Sequence, residues 1–154
     1  MSQRRVEHAT IVLERRFKAP PARVFAAWAD PAARARWDVP GQDWVVAEQV
    51  QDFRVGGREA SRFGPAGDPR YQSEGVYLDI VPDARIISAG AMHGEGTRSS
   101  VTLCTIELLP DGAGTHLILT DQSAYLGEGE APSLREAGWG EILERLEAHL
   151  GEEA

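Results

Sequence analysis

Residues 132–150 read PSLREAGWGEILERLEAHL and form the one long amphipathic segment of the sequence. Apolar side chains recur there at helical spacing, and charged side chains occupy the positions between them. The apolar stripe consists of Trp139, Ile142, Leu143, Leu146 and Leu150. This pattern predicts a C-terminal helix that buries one face against a core and leaves the other face in water.

Two glycines, Gly138 and Gly140, fall inside this segment. Each costs roughly 1 kcal/mol relative to alanine in a helix interior. Two interpretations are open: another backbone or a ligand approaches closely at this turn, or the regular helix begins only after Gly140. At the start of the segment, Ser133 and Glu136 have the spacing of a capping box.

The sequence between Trp44 and Tyr125 favours strands rather than helices. Turn residues, mainly glycine, proline and aspartate, separate the apolar runs, and the connections are too short for parallel crossovers. Leu117 and Leu119 alternate with His116 and Ile118, which is typical of a strand with one buried face. The predicted strands cover residues 43–52, 58–64, 72–81, 85–93, 98–109 and 115–124, and together they predict an antiparallel meander.

One more strand and two short helices are predicted before the meander. Residues 10–17 are rich in β-branched and apolar side chains, and the prolines at 20 and 21 end this strand. Pro21 suits the first turn of a helix, and Asp30 followed by Pro31 starts a second helix with an N-cap. The apolar positions of the two helices are Val24, Phe25, Trp28, Ala33 and Trp37.

These elements predict an α+β fold with a cavity. Seven antiparallel strands with one apolar face need a cover, and the C-terminal helix is the one long amphipathic element available. One helix cannot fill the concave side of a strongly curved sheet, so a space should remain between them. We expect residues 1–154 to be one domain, with an ordered core over about 8–150.

Composition argues against several classes of protein. The formal net charge is −8 and the pI is about 5.0, so a nucleic acid or an anionic membrane would be repelled. The basic groups Arg4-Arg5, Arg15-Arg16 and Arg34/Arg36 are interpreted as solvated faces. No apolar run is long enough for membrane insertion and no secretory signal is visible, so a cytoplasmic location is expected.

Few residues point to metal binding or catalysis. The histidines at 8, 93, 116 and 149 lack metal-ligand spacing, and Cys104 is the only cysteine, so no metal, disulfide or cofactor is expected. Cys104 lies mid-strand without a neighbouring base and is interpreted as a small core residue. Asp121 shares a strand face with Leu117, where a carboxylate in an apolar pocket gains a raised pKa suited to acid–base chemistry. His93 or Tyr77 would be its partner.

Aromatic residues fall on the elements that should enclose the cavity. Tyrosine and tryptophan combine a large apolar surface with a polar group that orients a ligand, and methionine adapts to variable apolar shapes. Packing in the core is an equally open interpretation for Trp37, Phe63, Met92 and Trp139. The predicted ligand-binding residues are Trp37, Phe63, Tyr71, Tyr77, Met92, His93, Asp121, Tyr125, Trp139 and Leu143.

An ordered set of motifs resembles the START-like helix-grip superfamily (SRPBCC). Within it, the chain is similar to the C-terminal domain of the activator of heat-shock protein 90 ATPase. The resemblance implies a seven-stranded curved antiparallel sheet wrapped on the C-terminal helix, with two short helices after the first strand. The motifs are Arg16-Phe17-Lys18-Ala19-Pro20, Val24-Phe25-Ala26-Ala27-Trp28, Asp30-Pro31, Trp37, Gly56-Gly57-Arg58, Gly75-Val76-Tyr77-Leu78-Asp79-Ile80-Val81-Pro82, Arg85-Ile86, Gly114-Thr115-His116-Leu117 and Gly138-Trp139 with Leu143 and Leu146.

Three functions are compatible with this reading. The first is a module that binds a small apolar or amphipathic molecule without covalent chemistry, with residues 123–132 as a gate beside the last helix. The second, implied by the resemblance, is a co-chaperone that contacts a chaperone in the stress response. The third is a cyclase, dehydratase or hydrolase that uses Asp121. The chain is expected to be a monomer, or a homodimer formed through an edge strand.

Overall fold

The computed structural model describes residues 6–127 and 129–152, which form one sheet and three helices. Arg4, Arg5 and Glu128, which figured in the basic groups and the predicted gate, lie outside the described residues. The strands and helices follow one another in the predicted order. They are β1 (Glu7–Phe17), α1 (Pro21–Ala29), α2 (Pro31–Trp37), β2 (Trp44–Gln51), β3 (Arg58–Pro65), β4 (Tyr71–Val81), β5 (Arg85–Gly94), β6 (Thr97–Asp111), β7 (Gly114–Tyr125) and α3 (Pro132–Glu152).

The sheet is a seven-stranded antiparallel meander with β1 added at one end. Its order is β1-β7-β6-β5-β4-β3-β2, so each strand from β2 to β7 pairs with its neighbour in sequence. β1 pairs along its whole length with β7, from Glu7 opposite Tyr125 to Phe17 opposite Thr115. The predicted α+β helix-grip fold is therefore confirmed.

The core lies between the concave face of the sheet and the three helices. Leu117 and Leu119 on β7 are fully buried, as the alternation in the sequence predicted. They belong to the same cluster as Leu143 and Leu146 of α3. Burial of such side chains contributes roughly 1.5–3 kcal/mol each, so this contact fixes α3 against the sheet. No helix in the described part of the chain is long and apolar enough to cross a membrane.

The two short helices close one end of this core. Asp30 caps α2 by accepting a hydrogen bond from the backbone N–H of Ala32 at 3.2 Å, as the Asp-Pro pair predicted. The indole N–H of Trp37 donates to the carbonyl oxygen of Ala27 at 3.2 Å, and its ring packs edge-on against Trp28. These contacts hold α1 and α2 as one unit beside α3.

The start of α3 agrees with the prediction, but its N-terminal cap does not. The helix begins at Pro132, so Ser133 lies inside the first turn and the predicted capping box is wrong. It runs through both Gly138 and Gly140, so it does not begin after them. A Cβ atom at Gly138 would meet the nearest atom, on Pro40, at 3.7 Å, an ordinary contact. No protein backbone therefore requires a glycine at this turn.

A close approach does occur between β4 and β5. Gly75 and Gly90 are direct partners in the ladder. A Cβ atom added at Gly90 would overlap the carbonyl oxygen of Glu74 and would lie 2.8 Å from the Cα atom of Gly75. The pair of glycines therefore lets the two backbones approach each other on the concave face.

We expect Gly90→Ala to lower the free energy of unfolding by roughly 2–3 kcal/mol, since the added methyl group has no space without moving a strand. The matched variant Gly138→Ala should instead raise stability by roughly 1 kcal/mol, because it restores helix propensity where space is open. Urea unfolding of both variants measures the difference. Equal stability of the two variants would contradict this account of the sheet.

Candidate functional site

A cavity of about 860 Å³ lies between α3 and the concave face of the sheet. This volume is within the range of protein sites that enclose small molecules. The inward positions of the central strands carry small side chains, which leaves the space open. These positions are Ser61 on β3, Ser73 and Gly75 on β4, Ser88 and Gly90 on β5, and Thr102 and Cys104 on β6.

Aromatic rings form one wall of the cavity. Trp44 stacks on Tyr71 with ring centroids 5.3 Å apart, and both rings lie within about 6 Å of Phe63. Phe53 packs edge-on against Tyr77 at 5.0 Å. These rings offer flat apolar surfaces to any molecule in the cavity.

Arg34 is the centre of a polar cluster at the end of the cavity formed by α1 and α2. Its guanidinium donates to Asp38 Oδ2 at 2.6 and 3.1 Å, to Glu59 Oε1 at 3.2 Å and to the Tyr77 hydroxyl at 3.1 Å. It also lies 5.5 Å from the centre of the Trp28 ring, in a cation–π contact. We name Arg34, Asp38, Glu59 and Tyr77 the Arg34 cluster.

Burial sets the protonation of this cluster. Burial raises the pKa of Tyr77, although the charge of Arg34 opposes the shift, so the phenol stays protonated. Its hydroxyl donates a hydrogen bond to Glu59 Oε1 at 3.4 Å. Burial also raises the pKa of Asp38 above its usual value, again against the attraction of Arg34. Burial alone would lower the pKa of Arg34, but Asp38 and Glu59 outweigh it and raise that pKa, so the guanidinium stays charged.

Arg135, in the first turns of α3, is the centre of a second polar cluster. Its guanidinium donates to Asp121 Oδ2 at 3.0 Å and to the Thr102 hydroxyl at 2.9 Å. The indole N–H of Trp139 donates to the same oxygen of Asp121 at 2.8 Å, and the Ser123 hydroxyl donates to the other oxygen. Asp121 has no exposed surface, so these donors replace the water that it loses.

Glu130 joins this cluster from the segment between β7 and α3. Arg135 donates to Glu130 Oε1 at 2.5 and 3.1 Å, while Ser99 and Ser100 of β6 each donate to Oε2 at 2.6 Å. Burial alone would raise the pKa of Glu130. The charge of Arg135 and the two serine hydroxyls outweigh it, so the pKa lies below its usual value and the carboxylate is ionised. The end of the predicted gate, residues 123–132, is therefore hydrogen-bonded to the sheet through Glu130. We name Asp121, Glu130 and Arg135, with the hydroxyls around them, the Arg135 cluster.

The structure places the ten residues predicted to bind a ligand in two groups. Five of them line the cavity: Phe63, Tyr71, Tyr77, Met92 and Trp139. The other five do not line it. Trp37, Tyr125 and Leu143 are core residues, and Asp121 is buried beneath Trp139, which donates a hydrogen bond to it. His93 lies at the end of β5, opposite Arg98 in the β5–β6 ladder.

The acid–base partnership predicted for Asp121 does not form. Among the described residues, its hydrogen bonds come from Ser123, Arg135 and Trp139, not from His93 or Tyr77. Cys104 lines the cavity, where burial raises the pKa of its thiol and disfavours the reactive thiolate. No group of three or more histidine, cysteine or carboxylate side chains in ranges 6–127 and 129–152 is placed to hold a metal ion.

Several cavity residues were not predicted from the sequence. Arg34 was interpreted as a solvated surface residue, which is wrong because its side chain is only 16% exposed and is paired with Asp38 and Glu59. The spacing of four residues between Arg34 and Asp38 was the available signal for an ion pair on a helix. Glu130 and Arg135 pair with each other at a spacing of five residues, which is not a helical ion-pair spacing, and their other partners lie on β6 and β7, so they carried no such signal.

Comparisons with known proteins agree with the fold. Residues 18–151 match the model of the family described as Activator of Hsp90 ATPase homolog 1-like protein. A crystal structure of a Rhizobium loti protein is 41% identical over 94% of this chain and 99% of the other, with a TM-score of 0.85. A Rhizobium leguminosarum protein is 37% identical over 96% and 97% of the two chains, with a TM-score of 0.87.

A more distant structure is similar over the same length. The AHSA1 protein of Silicibacter pomeroyi is 26% identical over 95% of this chain and all of the other, with a TM-score of 0.81. No curated protein matches the sequence. The similar structures therefore support the family and the fold without naming a ligand.

Proposed function

The chain belongs to the Activator of Hsp90 ATPase homolog 1-like family, and on this basis we propose that it binds a small apolar or amphipathic molecule in its cavity without covalent chemistry. The observation that carries the proposal is the cavity of about 860 Å³ under α3. A well-packed core without a binding role has few voids larger than a water molecule. The aromatic wall would supply affinity and the Arg34 cluster would orient the ligand.

The chemistry of the cavity supports binding over catalysis. A nucleophile needs a neighbouring base or a lowered pKa, and the Cys104 thiol has a raised one. Asp121 accepts hydrogen bonds from Ser123, Arg135 and Trp139, so both carboxylate oxygens are already engaged. These bonds favour a structural role for Asp121 rather than contact with a substrate.

Titration with Nile red, a neutral apolar dye, tests the proposal. We expect saturable binding of one dye per chain, with a rise in fluorescence as the dye leaves water, and full displacement by 1-decanol. Trp139→Ala should weaken dye binding roughly tenfold, because it removes an aromatic contact from the cavity wall. A linear, unsaturable fluorescence response in the folded protein would contradict the proposal.

A second candidate function is protein interaction, and one surface favours it. Val76, Ala89 and Leu103 are partners across β4, β5 and β6 on the convex face of the sheet. Val76 and Leu103 are large exposed side chains, as is Val101 beside them on β6. A contiguous exposed apolar patch is typical of interaction sites. This function would be supported if the protein binds Hsp90, if Val101→Glu abolishes that binding, and if blocking the cavity leaves it intact.

A further inference from the structure

The hydrogen bonds of the Arg34 cluster leave its acceptors, rather than its donors, available to a ligand. The Nε, Nη1 and Nη2 groups of Arg34 all donate within the cluster, to Asp38, Glu59 and Tyr77. The Tyr77 hydroxyl accepts from Arg34 and donates to Glu59, so it has no second proton to offer. A ligand that needs donors finds few of them here.

Two carboxylate oxygens of the cluster remain open. The bonds to Asp38 all end on Oδ2 and those to Glu59 all end on Oε1. Within the described residues, Asp38 Oδ1 and Glu59 Oε2 therefore accept no side-chain hydrogen bond. Both side chains line the cavity and are 23% exposed. The Arg34 guanidinium, 2.6 Å from Asp38 Oδ2, favours the ionised form of Asp38 against the effect of burial on its pKa. An ionised carboxylate is an acceptor only, so each open oxygen calls for a ligand N–H or O–H group.

The balance of charge points the same way. In the Arg34 cluster one guanidinium faces two carboxylates, Asp38 and Glu59. In the Arg135 cluster one guanidinium again faces two carboxylates, Asp121 and Glu130. Both clusters thus carry an excess negative charge, although Asp121 itself does not line the cavity. At the Arg34 cluster an anionic head group would meet this excess negative charge and a single remaining guanidinium N–H, whereas a cation would neutralise the excess.

The rings beside the cluster also suit a cation. Phe53 and Tyr77 line the cavity beside Arg34, which itself already lies over the ring of Trp28. The faces of aromatic rings attract ammonium groups, most strongly where water is excluded. Carboxylate oxygens and ring faces together form a common kind of site for an amine attached to an apolar body.

We propose that the cavity selects amphiphiles with an ammonium head group, which donates to Asp38 and Glu59 while its apolar tail lies along the aromatic wall. Carboxylate amphiphiles of the same length are disfavoured. This inference rests on the proposed binding function and specifies the class of its ligand.

Three probes with the same ten-carbon chain test the inference: decylamine, 1-decanol and decanoate. Each displaces Nile red at pH 7 and at a concentration below that of micelle formation, in 0.5 M salt to screen contacts with the negatively charged surface. We expect decylammonium to bind at least roughly tenfold more tightly than decanoate, because hydrogen bonds to charged groups are worth about 1.5–3 kcal/mol. 1-Decanol should lie between them.

Isosteric variants locate the preference. Glu59→Gln and Asp38→Asn should each reduce the ratio of decylammonium to decanoate affinity to within roughly threefold, while 1-decanol affinity changes little. Glu147→Gln, which removes the same charge from the exposed face of α3, should leave the ratio unchanged. Thermal melting of each variant confirms that it is folded.

The possible outcomes separate the two claims. Equal or reversed affinities for decylammonium and decanoate, or a ratio that survives both Glu59→Gln and Asp38→Asn, would overturn the head-group inference and leave the binding function standing. Failure of all three probes and of Nile red to bind would overturn the binding function itself.

Discussion

We expect Arg135→Met to lower the free energy of unfolding by about 3–5 kcal/mol, because it leaves two carboxylates without their shared cation. Asp121 is completely buried and Glu130 is largely so, and Arg135 bonds to both at 3.0 and 2.5 Å. Methionine fills a similar volume but offers no donor. Urea unfolding at pH 7 measures the loss.

An exposed arginine provides the matched control. Arg16 pairs with Asp111 at 2.8 Å, but the two side chains are 65% and 44% exposed. Arg16→Met should therefore cost less than about 1 kcal/mol. Adding Asp121→Asn to Arg135→Met should recover part of the stability, since the more deeply buried of the two unpaired carboxylates, Asp121, is then replaced by a neutral amide. If Arg135→Met were as stable as Arg16→Met, the Arg135 cluster would not fasten α3 and the segment before it.

The second large effect concerns the cavity. We expect Ser88→Phe to weaken binding of 1-decanol by more than tenfold, because the ring would occupy the space between Tyr77 and Cys104, the ladder partners of Ser88. A loss of one tenfold in affinity corresponds to about 1.4 kcal/mol. Stability should change little, since the ring enters open space rather than a packed core. Displacement of Nile red measures the affinity.

The same substitution on the opposite face controls for general effects on the sheet. Val76 lies on β4 with its side chain on the convex face, where it is 38% exposed. Val76→Phe adds a ring of the same size outside the cavity. The 1-decanol affinity should stay within roughly twofold of that of the unsubstituted protein, because surface substitutions usually have small effects. Unchanged affinity in Ser88→Phe would exclude the cavity as the site.

The fold could be predicted from the sequence because its main signals are local. The apolar stripe ending at Leu150 recurs with the helical period, and Leu117 and Leu119 recur with the two-residue period of a strand. The buried face of each element can therefore be identified from its own residues. The predicted strands differ from the observed ones by a few residues, such as 98–109 for Thr97–Asp111. The start of α3 at Pro132 was as predicted, but the predicted cap was wrong, since Ser133 lies inside the first turn.

The polar part of the site could not be predicted because it depends on pairing between distant elements. Arg34 meets Glu59 of β3 only once α2 packs against β2, and the sequence alone does not determine which face of residues 58–64 points inward. Arg135 likewise meets Asp121 from a different element. The positions of the aromatic residues were easier to predict. Phe63 and Tyr71 line the cavity as expected, whereas Trp37 is buried in the core.

The central claim is that a small amphipathic molecule occupies the cavity under α3, and Met92 provides the most direct test. The sequence holds two methionines, Met1 and Met92, and Met92 lines the cavity. Carbon-13 labelling of their methyl groups gives two NMR signals, which Met92→Ile assigns. The account predicts that 1-decanol shifts the Met92 signal in a saturable way and leaves that signal in place in Ser88→Phe. A Met92 signal that stays unchanged at saturating 1-decanol, or that shifts equally in Ser88→Phe, would contradict it.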